Sequence, residues 1–119
     1  MLNLDTHILL YAAAGKLSRR EKALLAGARW CISSIVIWEI GRLHELGRIE
    51  ISLDHPGLNA LFERLHVVEI SRHVIRHMLR LDFESDPADE LIAATSLAHA
   101  IPLLTRDRKL LDSRIVPLA

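Results

Sequence analysis

An α/β fold with parallel strands is the architecture this sequence predicts, on three observations. Short apolar runs alternate along the chain with segments of helical periodicity, the order of strand–helix–strand units rather than of hairpins. Half of the 119 residues are hydrophobic but only 4% are aromatic, so the core must be built from Leu, Ile, Val and Ala, as in helices packed on a sheet. Finally, Ser18, Ser34, Ser71 and Asp86 each stand just before a periodic apolar stretch, where a helix cap belongs.

Met1 to Leu4 reads as a strand ending at Asp5, and Ile8 to Ala14 as a helix. Ser18-Arg19-Arg20-Glu21 is a capping-box pattern that starts the next helix. Trp30 to Ser33 is a second strand, followed by a helix capped by Ser34, carrying Ile37, Trp38, Ile40 and Leu43, and ended by Gly47. A turn at Asp54-His55-Pro56-Gly57 precedes a helix through Leu65, and His66 to Ile70 is a third strand. Ser71 caps a helix with Val74, Ile75, Met78 and Leu79 on one face. Asp86 and Pro87 open a helix to about Ala100, with Asp86 as its N-cap. Pro102 to Thr105 is a fourth strand, Lys109 to Leu111 a short helix, and Ile115 to Val116 a weak fifth strand. Such alternation implies right-handed crossovers between parallel strands. Length, and the lack of repeats or a Pro-, Gly- or Ser-rich linker, point to one domain over residues 1–119.

Charge narrows the function. Fifteen basic and fifteen acidic side chains give zero net charge, which speaks against binding nucleic acid by charge alone. The single cysteine, Cys31, sits in an apolar run and reads as a buried small hydrophobe, with no disulfide framework. No signal peptide and no apolar run of about 20 residues is present, so a soluble, cytoplasmic protein without a membrane segment is expected.

The acids carry the chemistry. Ligand sites in an open parallel sheet form beyond the carboxyl ends of the strands. Asp5 ends strand one, and Glu39 lies early in the helix leaving strand two. Asp89 opens the helix before strand four, and Asp107 follows that strand. Singly, each has a structural explanation as a cap, turn or solvated residue. Together, four carboxylates at one edge repel unless cations sit among them, and hard ions such as Mg²⁺ or Mn²⁺ prefer oxygen ligands. The chemistry this favours is metal-assisted phosphoryl transfer. Seven histidines show no His-Glu-x-x-His pattern; His73 and His77, four apart, are explained by a half-exposed helix face. No glycine-rich phosphate loop or Gly-x-Ser-x-Gly motif occurs.

Four segments resemble PIN domains of the VapC type, in that family's order and across nearly the whole chain. They are Leu4-Asp5-Thr6-His7-Ile8-Leu9-Leu10, Ser33-Ser34-Ile35-Val36-Ile37-Trp38-Glu39-Ile40, Asp86-Pro87-Ala88-Asp89-Glu90-Leu91-Ile92-Ala93-Ala94 and Leu103-Leu104-Thr105-Arg106-Asp107. The resemblance implies a three-layer α/β/α sandwich around a parallel five-stranded sheet. It implies endoribonuclease activity dependent on Mg²⁺ or Mn²⁺, by metal-activated water, with Asp5, Glu39, Asp89 and Asp107 as catalytic and metal-holding acids. Thr6, Ser34 and Thr105 would hydrogen-bond those acids from behind. It also implies a homodimer and a cognate antitoxin, for which Ile35 to Leu46 and Leu58 to Leu65 are candidate contact stretches. Glu90 stands where related sequences commonly carry arginine and adds negative charge beside the site. For RNA, Arg106, Arg108 and Lys109 flank Asp107 and are the candidate contacts, while Arg72, Arg76 and Arg80 read as a solvated helix face. Single-stranded or looped RNA is the expected substrate.

Other functions fit less well. A haloacid-dehalogenase-like phosphatase needs a second aspartate two residues after the first, where His7 stands. A receiver domain needs an aspartate ending strand three, where Glu69-Ile70-Ser71 is found. A non-catalytic module of the same fold, binding RNA or a partner, is the remaining alternative.

Overall fold

The first strand, β1 (Leu2–Leu4), lies inside the sheet of the computed structural model, which describes residues 1–119. On one side it pairs with β2 (Trp30–Ser33) and on the other with β4 (Leu103–Leu104), and β3 (His66–Val68) lies outside β2. All three pairings are parallel, with Asn3 beside both Cys31 and Leu103 and Ser33 beside Val68. Every strand therefore ends at the same edge, and Asp5, Ser34 and Thr105 all follow strand ends there.

Seven helices complete the chain: α1 (Thr6–Ala14), α2 (Arg19–Ala26), α3 (Ile35–Glu45), α4 (Pro56–Phe62), α5 (Arg72–Met78), α6 (Pro87–His99) and α7 (Arg108–Leu111). Side chains of successive strand residues point to opposite faces, and Asn3, Leu4, Cys31 and Ile32 are all fully buried. Both faces of the sheet are thus covered, which is the three-layer α/β/α arrangement. Helix α6 packs on β1 and β2, with α3 and α5 against it, and Leu91 through Ser96 are buried without a break. The principal core joins Leu4, Ile8, Leu9, Ile32, Val36, Ile40, Ile92, Leu103 and Leu104 with neighbours of the same aliphatic kind.

Local chemistry accounts for the boundaries. The capping box at Ser18 and Glu21 is complete in both directions, and Ser71 accepts the Val74 N–H. Helix α4 starts inside the expected turn because the His55 ring nitrogen Nδ1 caps it, accepting from Gly57 and Leu58 at 3.1 and 3.3 Å. It stops at Phe62, short of Leu65, and β3 stops at Val68, short of Ile70. Ser34 occupies the cap position of α3 without capping it; the Ser33 hydroxyl accepts the Ile35 N–H instead, at 3.3 Å.

The sheet has four strands rather than the expected five. Residues Ile115 and Val116 cannot ladder because both N–H groups donate to the Ser113 hydroxyl, at 3.3 and 3.1 Å. Pro117 then has no N–H to give. What remains is a single parallel bridge between Leu103 and Leu118, with Leu103 N–H donating to Pro117 at 2.8 Å.

Candidate active site

Asp5 is the most constrained of the acids. Its carboxylate caps α1, with Oδ1 accepting the Thr6 N–H at 2.8 Å. The other oxygen, Oδ2, accepts the Thr105 hydroxyl at 2.6 Å, so the ends of β1 and β4 are tied across the sheet edge. Thr105 Oγ1 in turn accepts the Asp107 N–H at 3.0 Å, and Asp107 Oδ1 caps α7 through the Lys109 N–H at 2.8 Å. Glu39 stands in the second turn of α3. Asp89, in the first turn of α6, accepts the Ser85 hydroxyl at 2.9 Å. Asn3 fixes α6 against β1: its buried amide donates to Ile92 O at 3.1 Å and Ser96 Oγ at 2.9 Å, one turn and more beyond Asp89.

Asp5, Glu39, Asp89 and Asp107 line one cleft of about 510 Å³ at the carboxyl edge of the sheet. A cleft of about 550 Å³ at the opposite edge, around Leu25, Trp30, Leu61 and Leu65, is mostly apolar and holds no carboxylate. The electrostatics match the lining. Burial pushes the Asp5 carboxyl up, against the hydrogen bonds from Thr105 and Thr6. Burial also raises Glu39, with the charges of Asp5 and Asp86 adding to it. Asp89 is pushed up to about 6, by burial first and then by Asp5, Asp107 and Glu39. Each of these three carboxyls is thus less comfortable ionised than it would be in water.

Divalent cations suit this donor set. All four groups are hard oxygen donors, and the buried Thr6 hydroxyl stands beside Glu39, where it favours the ionised carboxylate against burial. No group of three His, Cys, Asp or Glu side chains stands close enough to clasp a bare ion. Mg²⁺ makes no such demand, since it keeps several waters and takes one or two carboxylates directly.

Arg106 is held in place. Its guanidinium forks onto Glu21, at 2.8 and 2.7 Å, and lies 4.0 Å from the Tyr11 ring centroid. This bidentate pair on a 7%-exposed carboxylate holds Glu21 at about 2, well below the usual carboxylate range. Because that value is depressed, the stabilisation is complete above the ordinary carboxylate range and is lost as pH falls towards 2. Glu21→Gln is expected to lower stability at neutral pH by about 1–2 kcal/mol, through the ion pair and the capping box together. Urea unfolding of parent and variant at pH 7 checks this.

The other expected residues divide. Thr6 and Thr105 are at the acids, whereas the Ser34 hydroxyl neither caps α3 nor lines the cleft. Arg108 and Lys109 are exposed on α7 and outside the cleft lining, and Arg108 stands 3.9 Å from Asp112. Asp86 holds the N-cap position of α6, but its carboxylate accepts no backbone N–H and lines the acidic cleft instead. Glu90 is turned to the Ser85 N–H at 3.1 Å and does not line the cleft. His73 and His77 stack edge to face, 4.6 Å apart, and belong to no metal-holding group. Sequence reasoning passed over His7, Tyr11 and Arg48, which also line the acidic cleft. His7 follows Asp5 by two residues and Tyr11 is one turn further along α1, so the Asp5 helix register could have marked those two, but not Arg48.

The PIN domain family model matches residues 3–114. Ribonuclease VapC22 of Mycobacterium tuberculosis is 31% identical over 117 residues, spanning 93% of this chain and 90% of that protein. In fold, the chain is similar to one in the crystal structure of VapBC2 from Rickettsia felis bound to a DNA fragment from their promoter. That likeness has a TM-score of 0.76 at 22% identity, over 100% of this chain and 98% of the other. A chain of DNA-bound VapBC from Salmonella typhimurium gives a TM-score of 0.69 at 23% identity, over 99% and 96%.

Proposed function

The chain belongs to the PIN-domain family, among its VapC-type ribonucleases, and we propose that it is a metal-dependent endoribonuclease serving as the toxin of a toxin–antitoxin pair. One observation carries the reading: carboxylates from four separate elements line a single cleft at the carboxyl edge of a parallel sheet, and Asp5 is locked there by Thr105. Asp5, Glu39, Asp89 and Asp107 would hold Mg²⁺ or Mn²⁺. The bound ion would supply Lewis-acid charge for the phosphate and its attacking water.

The chain's own groups do the positioning. Asp5 is held in one orientation by two hydrogen bonds, so little ordering is left for the reaction to pay for. Thr105 orients both Asp5 and the Asp107 backbone, so one hydroxyl ties two of the acids together. Ser85 fixes Asp89 in the same way.

The partners follow the family. Relatives of this fold were solved as VapBC assemblies, which supports a cognate antitoxin here. On α3, Trp38 is 58% exposed and the following Leu46 48%, an apolar surface suited to being covered by the antitoxin or by a second copy in a homodimer.

Metal is the direct test. Millimolar Mg²⁺ or Mn²⁺ is expected to raise the melting temperature of the purified chain, by binding the folded state and relieving the repulsion. Cleavage of single-stranded RNA is expected to need the ion and to stop with chelator. Cutting that survives exhaustive chelation would remove the metal from the mechanism. RNA binding without any cutting would make the chain a non-catalytic module.

A further inference from the structure

The acidic cleft does not end at the acids. A second depression, of about 820 Å³, shares His7, Tyr11, Arg48 and Ile49 with it and runs on along α1 to Lys16 and His55. The two form one continuous groove whose charge changes along its length. At the sheet edge it is dominated by carboxylates; beyond Tyr11 it presents Arg48 and Lys16, with Glu50 the one acid.

Taking the chain as the nuclease proposed above, we infer that this extension is a binding track for single-stranded RNA. Arg48 and Lys16 take the phosphates next to the one being cut, and unpaired bases lie along Tyr11, Ile49 and Ile51.

Three features support the assignment. First, Arg48 is built to hold its place. The end of α3 is a Schellman turn: Gly47 adopts φ +71° and donates to His44 O at 3.0 Å, and Arg48 N–H donates to Leu43 O at 2.9 Å. The backbone of Arg48 is thus fixed at the cleft wall, while its exposed side chain has no acid within salt-bridge distance. Lys16 is likewise exposed and without an ion pair. Arg106 differs, because Glu21 and Tyr11 already hold it. Arg48 and Lys16 are therefore the free cations of the groove.

Second, the groove mixes charge with apolar floor. Ile49 and Ile51 are half-buried beside the two cations. A duplex hides its bases, whereas a single strand offers bases to an apolar surface and phosphates to cations together. Third, the length fits. The nine residues of α1 rise about 13 Å, room for about four nucleotides at a stacked spacing of roughly 3.4 Å. At the far end the His55 ring lines the groove, with Nδ1 accepting backbone N–H groups and Nε2 left as the ring's N–H donor.

The test pairs binding with kinetics, using single-stranded RNA of graded length. Arg48→Ala and Lys16→Ala are each expected to raise KM about tenfold with a much smaller effect on kcat. Carried into an Asp5→Asn background, each should weaken RNA binding and make log Kd against log salt shallower by about 0.7. Arg76→Ala, on α5 and away from the groove, serves as the control and should change neither. Loss of the length dependence in the Arg48→Ala variant would complete the support. Groove variants that bind and cut with the parent's KM and salt slope overturn the track while leaving the nuclease reading intact. A parent chain that neither binds nor cuts single-stranded RNA overturns both.

Discussion

Asp5→Asn is expected to lower RNA cleavage by at least about 10³-fold while the chain stays folded, the loss of rate that follows from removing several kcal/mol of charge stabilisation. The fold should survive because asparagine can replace most of the local bonding. Its carbonyl oxygen can still accept the Thr6 N–H that closes the first turn of α1. Its amide can donate to Thr105 Oγ1, which has lone pairs to spare after accepting the Asp107 N–H. What the variant loses is the charge, in a position where burial already opposes it. Circular dichroism and a melting curve establish the fold, and initial rates on single-stranded RNA with Mg²⁺ read the loss. A folded Asp5→Asn protein that cuts within tenfold of the parent would show that Asp5 is a cap and nothing more.

Element order was legible in the sequence because the strands and helices differ in period and the helix starts carry their own chemistry. Ser18, Ser71 and Asp5 are caps that act within three residues, and local rules describe them. The misreadings lie where a side chain outcompeted a pattern. Ile115 and Val116 have strand-like side chains, but Ser113 takes their N–H groups, so pairing shrinks to the one bridge at Leu118. Ser34 looks like the cap of α3, yet its neighbour Ser33 holds the nearest N–H. The end of β3 turns on where pairing with β2 stops, at Ser33 and Val68, which is a tertiary fact.

The site was legible for a similar reason. Parallel topology sends every strand end to one edge, so Asp5, Glu39, Asp89 and Asp107 could be placed together from element order alone. The basic partners could not. Arg106 and Glu21 are 85 positions apart and meet over Tyr11, a contact with no local signature. Arg48 owes its position to the Gly47 turn and to the course of residues 46–55 over α1, which again no periodicity encodes. Short-range chemistry and topology carried the acids; the cations depend on packing.

Asp86 and Asp89 are three residues apart in one motif, and their variants are expected to part sharply. Asp89→Asn should abolish cleavage, by about 10³-fold or more, because it neutralises a carboxylate inside the acidic set. Without metal the same change should raise stability at neutral pH. The Asp89 carboxyl sits at about 6 in the folded chain, against an ordinary 3.8. Between those values the folded state binds more protons than the unfolded one, so stability falls as pH rises from about 4 through about 6 and stays low above. Asparagine cannot ionise and can still accept the Ser85 hydroxyl, so the variant should match the parent near pH 4 and exceed it at pH 7.5. Added Mg²⁺ should reverse the order, stabilising the parent more than the variant. Asp86→Asn should behave otherwise. Its carboxylate accepts no backbone N–H, so the cost of about 1 kcal/mol usual for a lost cap is not expected, and stability should move by less than about 0.5 kcal/mol. Substantial metal-dependent cutting should remain, since Asp86 is exposed at the cleft rim and acts on the site mainly through its charge on Glu39. Melting curves at pH 4, 5, 6 and 7.5, with and without Mg²⁺, read the stability half, and RNA cleavage reads the other. A dead Asp86→Asn beside an active Asp89→Asn would exchange the two roles and move the metal-holding position to the helix cap.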